Sequence, residues 1–143
     1  MKLLDGKTLS LELQTEIAAE VQAHIANGGR KPHLAAILIG DDPASKAYVG
    51  HKVKACAKAG FKSSLIERKE NISQADLLKI VRALNEDDSV DGFIVQLPLP
   101  SHIDNQAVIE AVKPSKDVDG FHPENVGRMS LGLPTFLPAT PGG

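Results

Sequence analysis

Two short apolar runs, Leu34–Ile39 and Gly92–Leu97, restrict the possible folds more than any other feature of this sequence. Each is too short for a helix and too continuous for a half-solvated strand. Runs of this kind read as strands buried on both faces. Gly40-Asp41-Asp42-Pro43 closes the first with turn chemistry, and Pro98 and Pro100 close the second. Lys62–Glu67 can form a third strand between them. The segments around the strands carry helical signals. Leu9, Leu13, Ile17 and Val21 recur at steps of four until Asn27-Gly28-Gly29. Ser45–Ala59 runs to a glycine, Ser73-Gln74-Ala75-Asp76 resembles a capping box that opens a helix to about Asn85, and Asn105–Val112 is one more helix. Strand and helix alternate, which predicts an α/β fold: a three-layer open sheet, mainly parallel, with right-handed crossovers.

At 143 residues, 42% of them hydrophobic, the chain has material for one core. We expect a domain over residues 1–122 and a loop-rich tail over 123–143, because Gly and Pro crowd the positions after Lys113 and exclude a long regular element. Sixteen basic residues against 18 acidic, with no Lys/Arg run, give no footprint for nucleic acid or a membrane surface. The N-terminus is charged too early for a signal peptide, so a cytoplasmic protein is expected. Cys56 is alone and the five histidines never fall into ligand spacing, so no metal is expected.

In an open parallel sheet, ligands bind beyond the carboxyl ends of the strands. That directs attention to the residues after Ile39, Glu67 and Gln96. On the helix after the first strand, Ser45, Tyr48, Val49, Lys52 and Cys56 share one sector. Lys52 on this apolar side either runs its stem past the helix to water or sits desolvated, its pKa lowered into the range for general acid/base work. Tyr48, one turn earlier, is either a half-buried core ring or a platform for a flat ligand. Gln96 interrupts an apolar strand at its carboxyl end, where a buried amide must find a structural partner or a ligand. Lys116-Asp117-Val118-Asp119-Gly120 puts two carboxylates in a turn that is either solvated or able to grip a heterocycle's amino groups; the pattern lacks the further ligands of a calcium loop. No G-x-G-x-x-G follows a strand, and no phosphate-binding loop, nucleophile elbow or H-E-x-x-H helix is present.

These segments resemble the methylenetetrahydrofolate dehydrogenase/cyclohydrolase family. The resemblance is carried by Asp5-Gly6-Lys7, Pro43-Ala44-Ser45, Tyr48-Val49, Lys52-Val53-Lys54, Asp91–Pro98 and Lys116–Phe121, and it runs over essentially the whole chain. The ending Leu137–Gly143 is similar to the family's P-C-T-P-x-G stretch, with Ala139 where a cysteine is usual. The resemblance implies oxidation of 5,10-methylenetetrahydrofolate to the methenyl form with a nicotinamide cofactor, NADP or NAD, then hydrolysis to 10-formyltetrahydrofolate. It implies that Lys52 handles protons, Gln96 hydrogen-bonds and tunes Lys52, Tyr48 stacks on the folate and Asp119 grips the pterin, with Val95 and Leu97 flanking Gln96. It also implies a homodimer, and a C-terminal Rossmann domain for the cofactor that is absent from this chain. A folate-binding or assembly module without catalysis is the competing reading, and it would tolerate changes at Lys52 or Gln96. A phosphoacceptor receiver, using Asp41-Asp42, lacks the strand-end aspartate it needs.

Overall fold

The computed structural model describes residues 5–138. Five α-helices, α1 (Gly6–Ala26), α2 (Pro43–Lys58), α3 (Gln74–Glu86), α4 (Asn105–Ala111) and α5 (Pro123–Ser130), accompany three strands, β1 (His33–Ile39), β2 (Lys62–Arg68) and β3 (Gly92–Val95). The strands form one parallel sheet in the order β2-β1-β3. The α/β class, the parallel sheet and the alternation therefore agree with the sequence reading.

The central strand explains the layers. Ala35, Ile37 and Ile39 face one side and pack with Leu77, Val81 and Leu84 of α3, Val108 of α4 and Phe93 of β3. Ala36 and Leu38 face the other side, where they meet Ile94 of β3 and Val49 and Val53 of α2. Side chains alternate across a strand, so a run that is apolar at every position needs helices on both faces. Parallel register then sets the height of the strand ends. Ile37 pairs with Val95, and Gln96 extends the ladder by one bond, its N–H donating to the Ile37 carbonyl at 2.9 Å.

Local chemistry sets the helix starts. The Asp42 carboxylate accepts from the Ser45 N–H at 2.7 Å, and Pro43 occupies the first turn of α2. At α3, the Ser73 hydroxyl accepts from the Asp76 N–H and donates to the Asp76 carboxylate, an N-cap that forms the first half of the anticipated capping box, with the carboxylate bonded to the hydroxyl. At the opposite end of the sheet, the Arg30 guanidinium grips Asp91 through two bonds of 2.7 Å, and Asp91 also accepts from the His33 N–H. This fork joins the starts of β1 and β3.

Two expectations need adjustment. In α1 only Val21 of the apolar stripe is buried, while Leu9, Leu13 and Ile17 remain exposed, because a period of four marks a face without supplying something to cover it. The segment after Lys113 also holds more order than its Gly and Pro content implied: a 3-10 turn at Pro114–Lys116, and α5, which starts on Pro123 and tolerates Gly127. Pro at a first turn favours a helix rather than opposing one.

The fully buried Leu77 and the exposed Leu13 give a direct check. Leu77→Ala is expected to cost about 2–5 kcal/mol in urea unfolding and Leu13→Ala less than about 0.5 kcal/mol, read from the transition midpoints.

Candidate active site

The site forms where α2, the end of β3 and the turn after Lys116 meet. The backbone of Asp117 makes a parallel bridge with Phe93, so the chain briefly runs beside β3. Two residues on, Asp119 comes level with Val95. Val118 packs with the α2 side of the core, and a Cβ at position 92 would run into it, which is why Gly92 suits the start of β3. Val95, Leu97, Asp119 and Phe121 line one recess together with Asp117 and Ile109. It holds about 20 Å³, room for one water-sized group, so anything larger can only lie across its mouth.

Lys52 reaches the same place from α2. Its ammonium lies 3.6 Å from the Asp119 carboxylate, with the two side chains 38% and 30% exposed. The separation exceeds that of a tight charge-assisted hydrogen bond, and a pair of this exposure contributes at most about 1 kcal/mol. A ligand can exchange this contact at low cost. The apolar enclosure anticipated for Lys52 is only partial, since a carboxylate and solvent share its surroundings. Burial pushes the Asp119 carboxyl up; Lys52 partly offsets the rise and Asp117 adds to it.

Gln96 supplies the amide. Ile94 faces α2, so Gln96, two residues further along the same ladder, is set on the α2 side of the sheet end, while Val95 and Leu97 pack with the opposite cluster. The Gln96 side-chain N–H donates to the Leu97 carbonyl at 2.7 Å, and its Oε1 is buried without a hydrogen-bond partner among the described residues. An unpaired buried amide oxygen is costly, and it awaits a donor. Tyr48 precedes Lys52 by one turn and is 64% exposed, so the core-ring reading does not hold. A large aromatic face is open on the side of the helix that carries Lys52.

The structure thus brings Lys52, Asp119, Val95 and Leu97 together and sets Gln96 and Tyr48 on the flanks. Cys56 is buried below them, and burial pushes its thiol up, away from the reactive thiolate form. Among the described residues, no group of three or more His, Cys, Asp or Glu side chains could hold a metal ion. Ala139, at the position where the family's cysteine was noted, lies outside the described residues. Sequence reasoning named Asp117 only as one of two carboxylates in the turn and missed its separate role: both acids line the recess, but Asp117 is buried while the Asp119 side chain is 30% exposed beside Lys52. Its two-residue spacing from Asp119 gave no signal, because residues two apart in extended chain share a face; the difference comes from the contacts Asp117 makes to His122 and Asn125.

Residues 4–119 match the catalytic domain of tetrahydrofolate dehydrogenase/cyclohydrolase. The chain belongs to this family. It is 60% identical over 143 residues to the bifunctional protein FolD of Bacteroides fragilis, covering 100% of this chain and 49% of that protein. The bifunctional protein FolD of Porphyromonas gingivalis is 58% identical over 142 residues, 99% of this chain and 48% of its own length. Among solved structures, the bifunctional FolD enzyme of Campylobacter jejuni superposes with a TM-score of 0.95 at 50% identity, over 99% of this chain and 50% of that one. The Trypanosoma brucei enzyme, solved with NADP and an inhibitor, superposes with a TM-score of 0.85 at 37% identity, over 90% of this chain and 43% of that one. The chain therefore spans about half the length of the FolD relatives it matches.

The raised Asp119 titration has a signed consequence. Its contribution to stability is complete below the unfolded carboxyl's ordinary value of 3.8 and is lost as pH rises through the higher folded value. Asp119→Asn should therefore raise the thermal midpoint at pH 7 and leave it unchanged near pH 3, which paired melts at the two pH values would reveal.

Proposed function

We propose that this chain is the folate-binding half of an enzyme that oxidises 5,10-methylenetetrahydrofolate and hydrolyses the resulting 5,10-methenyl form to 10-formyltetrahydrofolate. The observation that carries this reading is the unpaired Gln96 Oε1 at the sheet end, on the side from which Lys52 enters beside Asp119. An amide oxygen and an amine at one crevice suit proton transfer, with a carboxylate alongside for a polar heterocycle.

Each side chain then has a task. Asp119 exchanges its loose contact with Lys52 for the N–H groups of the pterin. The freed amine turns toward the one-carbon bridge, and Gln96 Oε1 accepts one of its N–H bonds and fixes its direction. Tyr48 covers the ring by stacking, and Val95 and Leu97 support it from below. In the hydrolytic step, water adds to the methenyl carbon and Lys52 takes the proton that the water releases. Cleavage of the C–N5 bond, with loss of the carbinol O–H proton to solvent, leaves the formyl group on N10, and Lys52 returns its proton to N5. The net result is addition of water with release of one proton.

The nicotinamide cofactor does not fit this chain, which has no glycine-rich dinucleotide loop after any strand. On this reading NADP binds to a part of the enzyme outside these residues, as the greater length of the FolD relatives allows. The same reading takes residues 1–122 as the folate domain and 123–143 as the segment leading onward. It places the whole enzyme in the cytoplasm as a homodimer without nucleic-acid or membrane partners. The near-balanced charge, with no Lys/Arg run, supports the expectation of no nucleic-acid partner. No helix among the described residues is long and apolar enough to cross a membrane.

The test follows the absorbance of 5,10-methenyltetrahydrofolate against a buffer blank. The parent chain should accelerate its loss and Lys52→Met should lower that acceleration by about 100-fold or more. A variant as fast as the parent would remove Lys52 from the chemistry. Folate binding without any acceleration by the parent would favour a module that binds and does not catalyse.

A further inference from the structure

Asp117 has no part in the chemistry above, yet it is only 6% exposed and its bonds are unusually concentrated. One carboxylate oxygen, Oδ2, accepts from the His122 backbone N–H at 2.8 Å and from the Asn125 side-chain N–H at 2.9 Å. Asn125, 4% exposed, uses both ends of its amide. Its N–H group also donates to the Pro114 carbonyl at 2.9 Å, and its oxygen accepts from the Thr135 hydroxyl at 2.8 Å. The Asp117 backbone is meanwhile fixed to β3 through Phe93.

These bonds close a ring of chain from Asp117 to His122, and Asp119 lies inside it. Gly120 turns the ring at φ +69, where a Cβ would stand 2.7 Å from the Phe136 carbonyl, so the segment near residue 136 presses on the ring from outside. The ring is held at its start by β3, at its end by the Asp117 carboxylate and on its outer side by the chain that Thr135 anchors. Without the Asp117 carboxylate, the part-buried His122 N–H and the buried Asn125 amide lose a shared acceptor, and the ring can open.

We infer that Asp117 is a positioning residue: it closes the 117–122 ring and thereby holds the Asp119 carboxylate at the mouth of the recess, facing Lys52. The inference rests on the reading of Asp119 as the pterin ligand. It assigns the two acids of one short motif different tasks, one bonded to His122 and Asn125 to shape the turn and one beside Lys52 to meet the ligand.

The experiment is a calorimetric titration of the 143-residue chain with tetrahydrofolate, alongside Asp117→Ala, Asp117→Asn, Asp119→Ala and the double alanine variant, each corrected for its folded fraction by a thermal melt. Asp117→Ala and Asp119→Ala should each weaken binding by about tenfold, and the double variant by no more than the worse single one, because both remove the same contact. Asp117→Asn retains an oxygen able to accept both bonds and should bind within about threefold of the parent. A residue that only stabilised the fold would lower the melting temperature and leave the affinity of the folded fraction unchanged, which overturns the inference, as do additive losses in the double variant. Weak binding by Asp119→Ala with parent-like binding by Asp117→Ala removes the inference alone. Parent-like binding by Asp119→Ala, or a parent chain that takes up no tetrahydrofolate, removes the pterin reading and the inference with it. Should Asp117→Ala not fold, Thr135→Val cuts the far end of the network. It should weaken binding by about threefold with Asp119 present and not at all in the Asp119→Ala background, and either an additive or a zero effect overturns the inference.

Discussion

β1 lies in the middle of the sheet with both faces in the interior, and the remaining architecture follows from that burial. A strand with no polar face needs a helix on either side, and a sheet covered in this way is built most readily from parallel strands joined by helices. Parallel register then brings the ends of β1 and β3 to one height. That shared edge is where backbone polarity, loop carbonyls and charged side chains gather above an apolar floor. The Arg30–Asp91 fork ties the starts of the same two strands, at the edge opposite the site.

The two ends of the sheet use charge differently. Arg30 and Asp91 meet in a bidentate grip that also orders the His33 backbone, a contact with little reason to exchange. Lys52 and Asp119 meet at a single longer separation, while burial works against the carboxylate's charge. A stability-optimised edge would not combine a desolvated carboxylate with an unpaired amide oxygen at Gln96. Such local costs are expected where a protein keeps groups ready for another molecule.

Much of this was legible in the residues. The continuous apolar runs at 34–39 and 92–97 identify strands covered twice, and the polar break at Gln96 identifies the one position in the second run that does not belong to the core. The helical wheel singled out Lys52 because a lysine among Ser45, Val49 and Cys56 is out of place. Other features were not legible for physical reasons. Periodicity gives the direction of a stripe and not its cover, which is why Leu9, Leu13 and Ile17 mark the apolar face of an amphipathic helix and are nevertheless exposed. The different environments of Asp117 and Asp119 depend on a bridge to β3 and on Asn125, contacts that no local pattern encodes. The same wheel set Tyr48 beside Val49 without showing that the helix lifts its ring clear of the sheet.

The exposed position of Tyr48 has an optical consequence. The chain has one tyrosine and no tryptophan, so nearly all its near-ultraviolet emission arises from a single ring one helical turn from Lys52. Most proteins average such light over many chromophores scattered through the core. Here the emission is a local signal by composition, and its quenching or polarisation reports on that one surface of α2 without any label attached.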